Sequence, residues 1–199
     1  MLKKLRDYFV QHPVYFIILR KIIELNFRKE KKLIREVFFD QNKKKVLDIG
    51  CGTGEYLDCF NPQNYTGIDI SSDYIKYARK TRKGKFLVMD ATNLSFPNGS
   101  FDIILIAAII HHLDDRNAHA VLRQAKRVLG KNGRILIMED AKIKSLDNPI
   151  VRFVQKYDLG AKIRTPDKYR DMLSKYFISM REWEFINGGC TYYASLMKK

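Results

Sequence analysis

The sequence predicts a doubly wound α/β fold: a mainly parallel, seven-stranded sheet, preceded by N-terminal helices and closed by a C-terminal antiparallel hairpin. Three observations carry this. From residue 44 onward, short strand-like runs alternate with segments of helical period. The runs are continuously apolar, as expected of strands covered on both faces. The tail instead alternates apolar and polar residues on either side of Asn187-Gly188-Gly189, a hairpin signature.

Each element follows in order. After Pro13, apolar Tyr15, Ile18, Leu19, Ile22 and Ile23 recur at helical spacing, and Leu33, Ile34 and Val37 continue the pattern within Glu30 to Phe38. Lys45 to Ile49 reads as the first strand, entering a glycine-rich turn, with a polar helix expected to start at Glu55. Tyr65 to Asp69 is the second strand. Ser71 is a fitting N-cap for a helix with Tyr74, Ile75 and Ala78 on its apolar face. Lys85 to Asp90 is the third strand, and Phe101 to Ala107, after a Pro97-Asn98-Gly99 turn, the fourth.

Ala118, Val121, Leu122, Ala125, Val128 and Leu129 make a core-facing helix face, with Gly130 placed to end the helix in the C′ position. Arg134 to Glu139 is the fifth strand. Thr165-Pro166-Asp167 combines an N-cap, a first-position proline and a first-turn acid, opening a helix to about Tyr176. The hairpin runs from Phe177 to Leu196.

Composition bounds the class. With 46% hydrophobic and 30% charged residues in 199, the chain is globular and can bury a core without disulfides or metals. Cys51, Cys59 and Cys190 are odd in number and match no zinc spacing, which fits a reducing, cytoplasmic setting and no metal. The apolar run from Val14 to Leu19 ends at Arg20-Lys21, too short to span a bilayer and unlike a signal peptide.

The net charge of +15 is uneven: +8 over residues 1–45, +1 over 46–140 and +6 over 141–199. Basic flanks suit an anionic substrate, a membrane surface or nucleic acid, or are simply a solvated lysine-rich exterior.

Ligands of doubly wound sheets bind at the carboxyl ends of the strands. There Asp48, Asp69 and Asp90 stand 21 residues apart, with Gly50-Cys51-Gly52-Thr53-Gly54 following the first. Glycines allow a sharp turn and close backbone approach. An acid about 20 residues on, at the end of the second strand, suits a bidentate hydrogen bond to ribose hydroxyls. The ligand therefore reads as a nucleoside. A nicotinamide dinucleotide wants a third glycine one residue later, where Glu55 stands, and its pyrophosphate would be repelled by that acid. A cationic ligand with a sulfonium and an ammonium suits the two acids better.

Val46-Leu47-Asp48-Ile49-Gly50-Cys51-Gly52-Thr53-Gly54 resembles the first motif of class I S-adenosylmethionine-dependent methyltransferases. Three further segments resemble the same family in order: Gly67 to Ser71, Leu94 to Asp102 and Arg127 to Gly133. The resemblance covers about residues 44–140 and is nearest to the quinone-biosynthesis and related small-molecule subgroup. It implies a Rossmann-like methyltransferase fold and one domain. That domain has a helical lid over 1–43, a cofactor core over 44–140 and a substrate-side insert with the hairpin over 141–199. It also implies S-adenosylmethionine as cofactor, S-adenosylhomocysteine as product, and a set of roles. Gly50 and Gly52, with Cys51 as small filler between them, would lie against the methionine end, and Asp48 would bond its amino group. Asp69 would hold the ribose and Ile70 would pack on the adenine. Asp90 and the Ala91 amide would meet the adenine edge, and Ala107 would line the sulfonium side.

After the fourth strand comes Ala108-Ile109-Ile110-His111-His112-Leu113. The segment lacks the Asn/Asp-Pro-Pro-aromatic signature of enzymes that methylate exocyclic base amines. His112, then His111, are the candidate acceptor-side bases, since an imidazole titrates near neutral pH; the alternative is that the pair only shapes the loop and caps the next helix. Tyr15 and Phe16 are candidate lid aromatics. Tyr157, Asp158, Lys162 and Arg164 are candidates to grip an acidic or lipid-like acceptor. The expected acceptor is a small molecule or lipid, with peripheral membrane contact through the basic N-terminus. RNA ranks second, on a pI near 9.7. A protein that binds the cofactor without turnover is the non-enzymatic alternative.

Overall fold

The computed structural model describes Ile18, residues 21–39 and 43–143, Leu146, Pro149 and residues 162–199. Seven strands form one sheet in the order β3-β2-β1-β4-β5-β7-β6. They are β1 Val46–Ile49, β2 Tyr65–Asp69, β3 Lys85–Val88, β4 Phe101–Ala107, β5 Leu129–Asp140, β6 Ile178–Asn187 and β7 Cys190–Lys198. The first five run parallel. β7 inserts antiparallel between β5 and β6, so the sheet is the one the sequence predicts.

Alternation along the strands divides the core into two layers. Leu47, Ile49, Ile68, Ile104, Ile106, Ile135 and Ile137 face helices α3 (Asp115–Val128) and α4 (Pro166–Leu173). Val46, Tyr65, Phe86, Ile103, Leu105 and Leu136 face α1 (Arg28–Val37) and α2 (Ser72–Thr81). Helix α3 presents the five buried residues Ala118, Val121, Leu122, Ala125 and Val128, and Asp114 caps it by accepting from the Asn117 amide, a cap worth about 1 kcal/mol. Because β1 is flanked by β2 on one side and β4 on the other, the strand order reverses there, and a crevice opens at its carboxyl end.

Several local expectations are corrected. No α-helix starts at Glu55; the link to β2 is a turn followed by 3-10 segments Leu57–Cys59 and Pro62–Asn64. Pro62 explains this, since a helix continuing through it would lose an amide donor and clash with the preceding turn. Gly130 is not a left-handed C′ residue. Leu129 leaves α3 in extended geometry and pairs with Phe101, so β5 begins five residues earlier than its apolar run. β3 ends at Val88, two residues before Asp90, and α4 stops at Leu173 rather than near Tyr176. Tyr15, Phe16, Tyr157 and Asp158 lie outside the described residues.

The segment entering α1 is bound to the turn of the β6–β7 hairpin. The Gly189 amide donates to the Ile23 carbonyl at 2.9 Å. The Asn187 side chain donates to the Glu24 carbonyl and to the Glu30 carboxylate, and the Tyr192 hydroxyl donates to the Glu24 carboxylate. Leu25, Asn26 and Phe27 all take positive φ, at 46°, 56° and 57°. Three successive left-handed residues cost about 1–2 kcal/mol each without a glycine, so the hairpin contacts must hold them. Gly188 permits the approach: its φ is +61°, and a Cβ there would stand 1.8 Å from the Ile23 carbonyl oxygen.

Gly188→Ala should therefore lower stability by roughly 2 kcal/mol or more in urea unfolding. The Gly189 amide should lose hydrogen-exchange protection in the same variant.

Candidate functional site

The crevice at the end of β1 collects the acids of the glycine motif. Gly50, Gly52 and Gly54 all take positive φ; a Cβ on Gly52 would meet nothing within 4 Å among the described residues, so the backbone there borders open space, whereas Gly50 is covered by Ile109 and Gly54 by Phe86. Asp69 stitches the turn to β2. Its Oδ2 accepts from the Gly52 amide at 2.9 Å and its Oδ1 from the Ser71 amide at 2.8 Å. Burial nevertheless raises its pKa, with these amides opposing the shift. Asp90 is exposed and accepts from both the amide and the hydroxyl of Thr92.

Asp48 differs. It is buried, and its Oδ2 accepts from the Tyr65 hydroxyl at 2.5 Å. Its Oδ1 has no hydrogen-bond partner among the described residues. Burial, with the nearby Asp69 charge adding to it, pushes its pKa up to about 7 although the Tyr65 hydrogen bond pulls the other way. The register explains the contact: Tyr65 is paired with Val46 and Asp48 with Gly67, so the ring lies on the same face as the carboxylate and Gly67 opposite it has no side chain.

Glu55 is also placed differently from its sequence reading. It is ion-paired with Arg82 at 2.8 Å and Lys21 at 3.1 Å. Its charge is therefore neutralised, and it does not discriminate against a pyrophosphate as the motif spacing suggests. Ile70 is 73% exposed at the end of β2, so it is not a core residue. Ala107 is buried at the end of β4, and Ala91 is half-buried. Cys51 is buried under the turn, and burial raises its thiol pKa, which suits a filler rather than a nucleophile.

The His pair divides into two environments. His111 is buried and His112 is exposed, with ring centroids 4.1 Å apart. His111 Nδ1 lies 2.7 Å from Glu139 Oε2, which places the proton on Nδ1 when Glu139 is ionised. Its Nε2 lies 3.7 Å from Asp140 Oδ2. Glu139, fully buried at the end of β5, also accepts from the amides of Ile109, Ile110 and His111. It therefore anchors the whole turn that follows Ala108, itself at φ +57°. The next helix is capped by Asp114 and not by either histidine.

Arg164 closes the other side of this turn, donating to the carbonyls of Ile110 and Leu113 and to Asp115. Its guanidinium is thus engaged in structure, which removes it as a grip for an acidic acceptor. The Lys162 amide binds the His111 carbonyl. Glu139 was not singled out from the sequence, although it carries the same signal as Asp48 and Asp69, an acid closing an apolar strand. Tyr65 gave no signal beyond strand propensity. Among the described residues no His, Cys, Asp or Glu cluster could hold a metal ion, and no helix is long and apolar enough to cross a membrane.

Comparison with known proteins gives the class. Residues 46–133 match the family described as methyltransferase domain. Demethylmenaquinone methyltransferase of Thermotoga maritima is 38% identical over 56% of this chain and 50% of its own length. A probable tRNA methyltransferase 9B of Mus musculus is 32% identical over 52% of this chain and 24% of its own. A SAM-dependent methyltransferase from Aquifex aeolicus superposes with a TM-score of 0.68 at 17% identity, covering 93% of this chain and 97% of that one, a likeness of fold. The chain is thus similar to methyltransferases over residues 46–133, less than half of its length. It spans half or less of the length of these two curated relatives.

Two outcomes follow for stability. Glu139→Ala should cost about 3–5 kcal/mol in urea unfolding, because it leaves three amides and an imidazole without their acceptor. Glu139→Gln, which retains one acceptor oxygen, should cost markedly less. Asp48 is easier to keep protonated in the fold than in the unfolded chain, so stability should fall as pH rises from about 4 towards 7. Asp48→Asn should therefore match the parent in thermal melts near pH 5 and exceed it near pH 8.

Proposed function

We propose that the chain binds S-adenosylmethionine at the carboxyl end of β1 and transfers its methyl group to a small-molecule acceptor. The observation that carries this is Asp48. It is a buried carboxylate below the glycine turn whose Gly52 backbone is open, with one oxygen unpartnered among the described residues and no counter-ion there. A buried charge of this kind calls for a cationic ligand group. Open backbone at Gly52 and the exposed Ile70 at the end of the neighbouring strand fit a nucleoside lying across the crevice.

In this reading Gly50, Cys51 and Gly52 border the methionine end, and Asp48 receives its ammonium. Asp69 holds the ribose, Ile70, Asp90 and Ala91 hold the adenine, and Ala107 flanks the sulfonium. The bound cofactor supplies an already activated methyl group. The protein's own task is then to align an acceptor for direct displacement. His112, exposed at the mouth, takes a proton where the acceptor must lose one, while His111 is held beneath it by Glu139.

The demethylmenaquinone relative supports a small, quinone-like acceptor, reached in a reducing cytoplasmic setting that the three free cysteines suit. Residues 1–43 act as the lid and 141–199 as the acceptor side. The net charge of +15 and the tRNA methyltransferase relative favour RNA as the second reading.

Saturating S-adenosylmethionine or S-adenosylhomocysteine, at 100 times its Kd, should raise stability by about 2.7 kcal/mol. That is a Tm increase of roughly 5–10 °C, and NAD should give none. Asp69→Ala should weaken S-adenosylhomocysteine binding at least tenfold by calorimetry, and unchanged affinity would remove the ribose assignment. Methyl-labelled cofactor offered with a demethylated quinol or with total tRNA separates the two acceptors by where the label appears.

A further inference from the structure

Asp48 cannot do its work in the protonated state, because a neutral carboxyl offers an ammonium neither charge nor a full acceptor. Its surroundings press towards that state. It is buried at 1% exposure, and the groups that face it from the packed elements are mostly anionic or neutral. Asp69 faces it from the end of β2, Cys51 from the glycine turn and Cys59 from the 3-10 segment Leu57–Cys59. Arg82, the cation that acts on Tyr65 among the described residues, is spent on Glu55 and Asp58. Against these stands, among the described residues, a single hydrogen bond, from the Tyr65 hydroxyl to Asp48 Oδ2. The phenol is itself fully buried and held under strand register, so it approaches from a set direction. Its own pKa is well above the ordinary value, chiefly through burial, so it remains a donor.

We infer that Tyr65 is a positioning residue for the cofactor: its hydroxyl holds the buried Asp48 carboxylate in the anionic form that the cofactor ammonium requires, and leaves the second oxygen for that ammonium. The inference rests on the cofactor reading above and adds to it a residue and a proton. Cofactor uptake from the Asp48-protonated protein releases that proton, and the Tyr65 hydrogen bond sets the pH at which release is needed. Tyr65 acts only through Asp48 and touches no reacting atom.

Calorimetric titration with S-adenosylhomocysteine between pH 5.5 and 9 tests this without any acceptor. In the parent protein the affinity should drop about tenfold per pH unit on the acid side and level off above it, with any alkaline loss belonging to the ligand's own ammonium. On the acid side, titrations in buffers of different ionisation heat should show close to one proton released per ligand. Charge-assisted hydrogen bonds are the stronger kind, so Tyr65→Phe should move the acid limb up by about one pH unit. The variant then binds about tenfold more weakly than the parent at pH 6 and within twofold of it at pH 8.5. Asp48→Asn, which keeps the ring and its neighbours, should bind weakly with no acid limb and no proton release.

A Tyr65→Phe loss that is equal at every pH would overturn the inference and leave a packing role only. So would an acid limb that survives in Asp48→Asn, which also decides the matter if Tyr65→Phe does not fold. If the parent binds no S-adenosylhomocysteine at any pH, the cofactor reading falls and the inference with it.

Discussion

Parallel strands release their backbone amides at the carboxyl edge, where no further strand residue accepts them. Those amides must be bound by something. Backbone carbonyls take some of them, such as those of Gly50, Cys51 and Ala108, and acidic side chains take others. Asp69 takes the amides of Gly52 and Ser71, and Glu139 takes those of Ile109, Ile110 and His111. The carbonyls of the same turn go to Arg164. The edge is thus a set of turns pinned by charged groups, and the pinning is what gives the crevice a definite shape. Asp48 stands apart because, among the described residues, it receives no backbone donor.

That contrast explains how similar residues come to different tasks. Asp48, Asp69, Asp90 and Glu139 lie at or just after strand ends, and their chemistry is the same in isolation. Asp90 remains exposed in a local turn of its own, and Glu139 is saturated by protein donors. Asp69 is shared between the glycine turn and the crevice. Of these four, only Asp48 combines burial, an oxygen unpartnered among the described residues and a neutral donor, which is the combination that suits a cationic ligand.

The histidines show the same division. Adjacent in sequence, they lie in one 3-10 turn, which sends His111 inward to Glu139 and leaves His112 at the surface. Either could have served as a base on composition alone. The inward one is committed to holding the turn. The outward one is accessible, and its neighbour's ring packs against it. The strained segment Leu25 to Phe27 is likewise held from outside, by Asn187, Gly189 and Tyr192 of the hairpin.

Periodicity and strand-end acids determined the layered sheet, the hairpin, the glycine turn and the positions of Asp48, Asp69 and Asp90. These are local signals: burial on both faces makes strands uniformly apolar, and sharp turns demand glycine. What only the tertiary structure decided are the pairings between distant segments. Glu55 meets Arg82 and Lys21, Asp48 meets Tyr65, His111 meets Glu139 and Arg164 meets the turn after β4. Each of these sets whether a charge is available to a ligand or consumed by the fold. None is visible along the chain, because a side chain's neighbours depend on strand register and on how the turns between strands are closed.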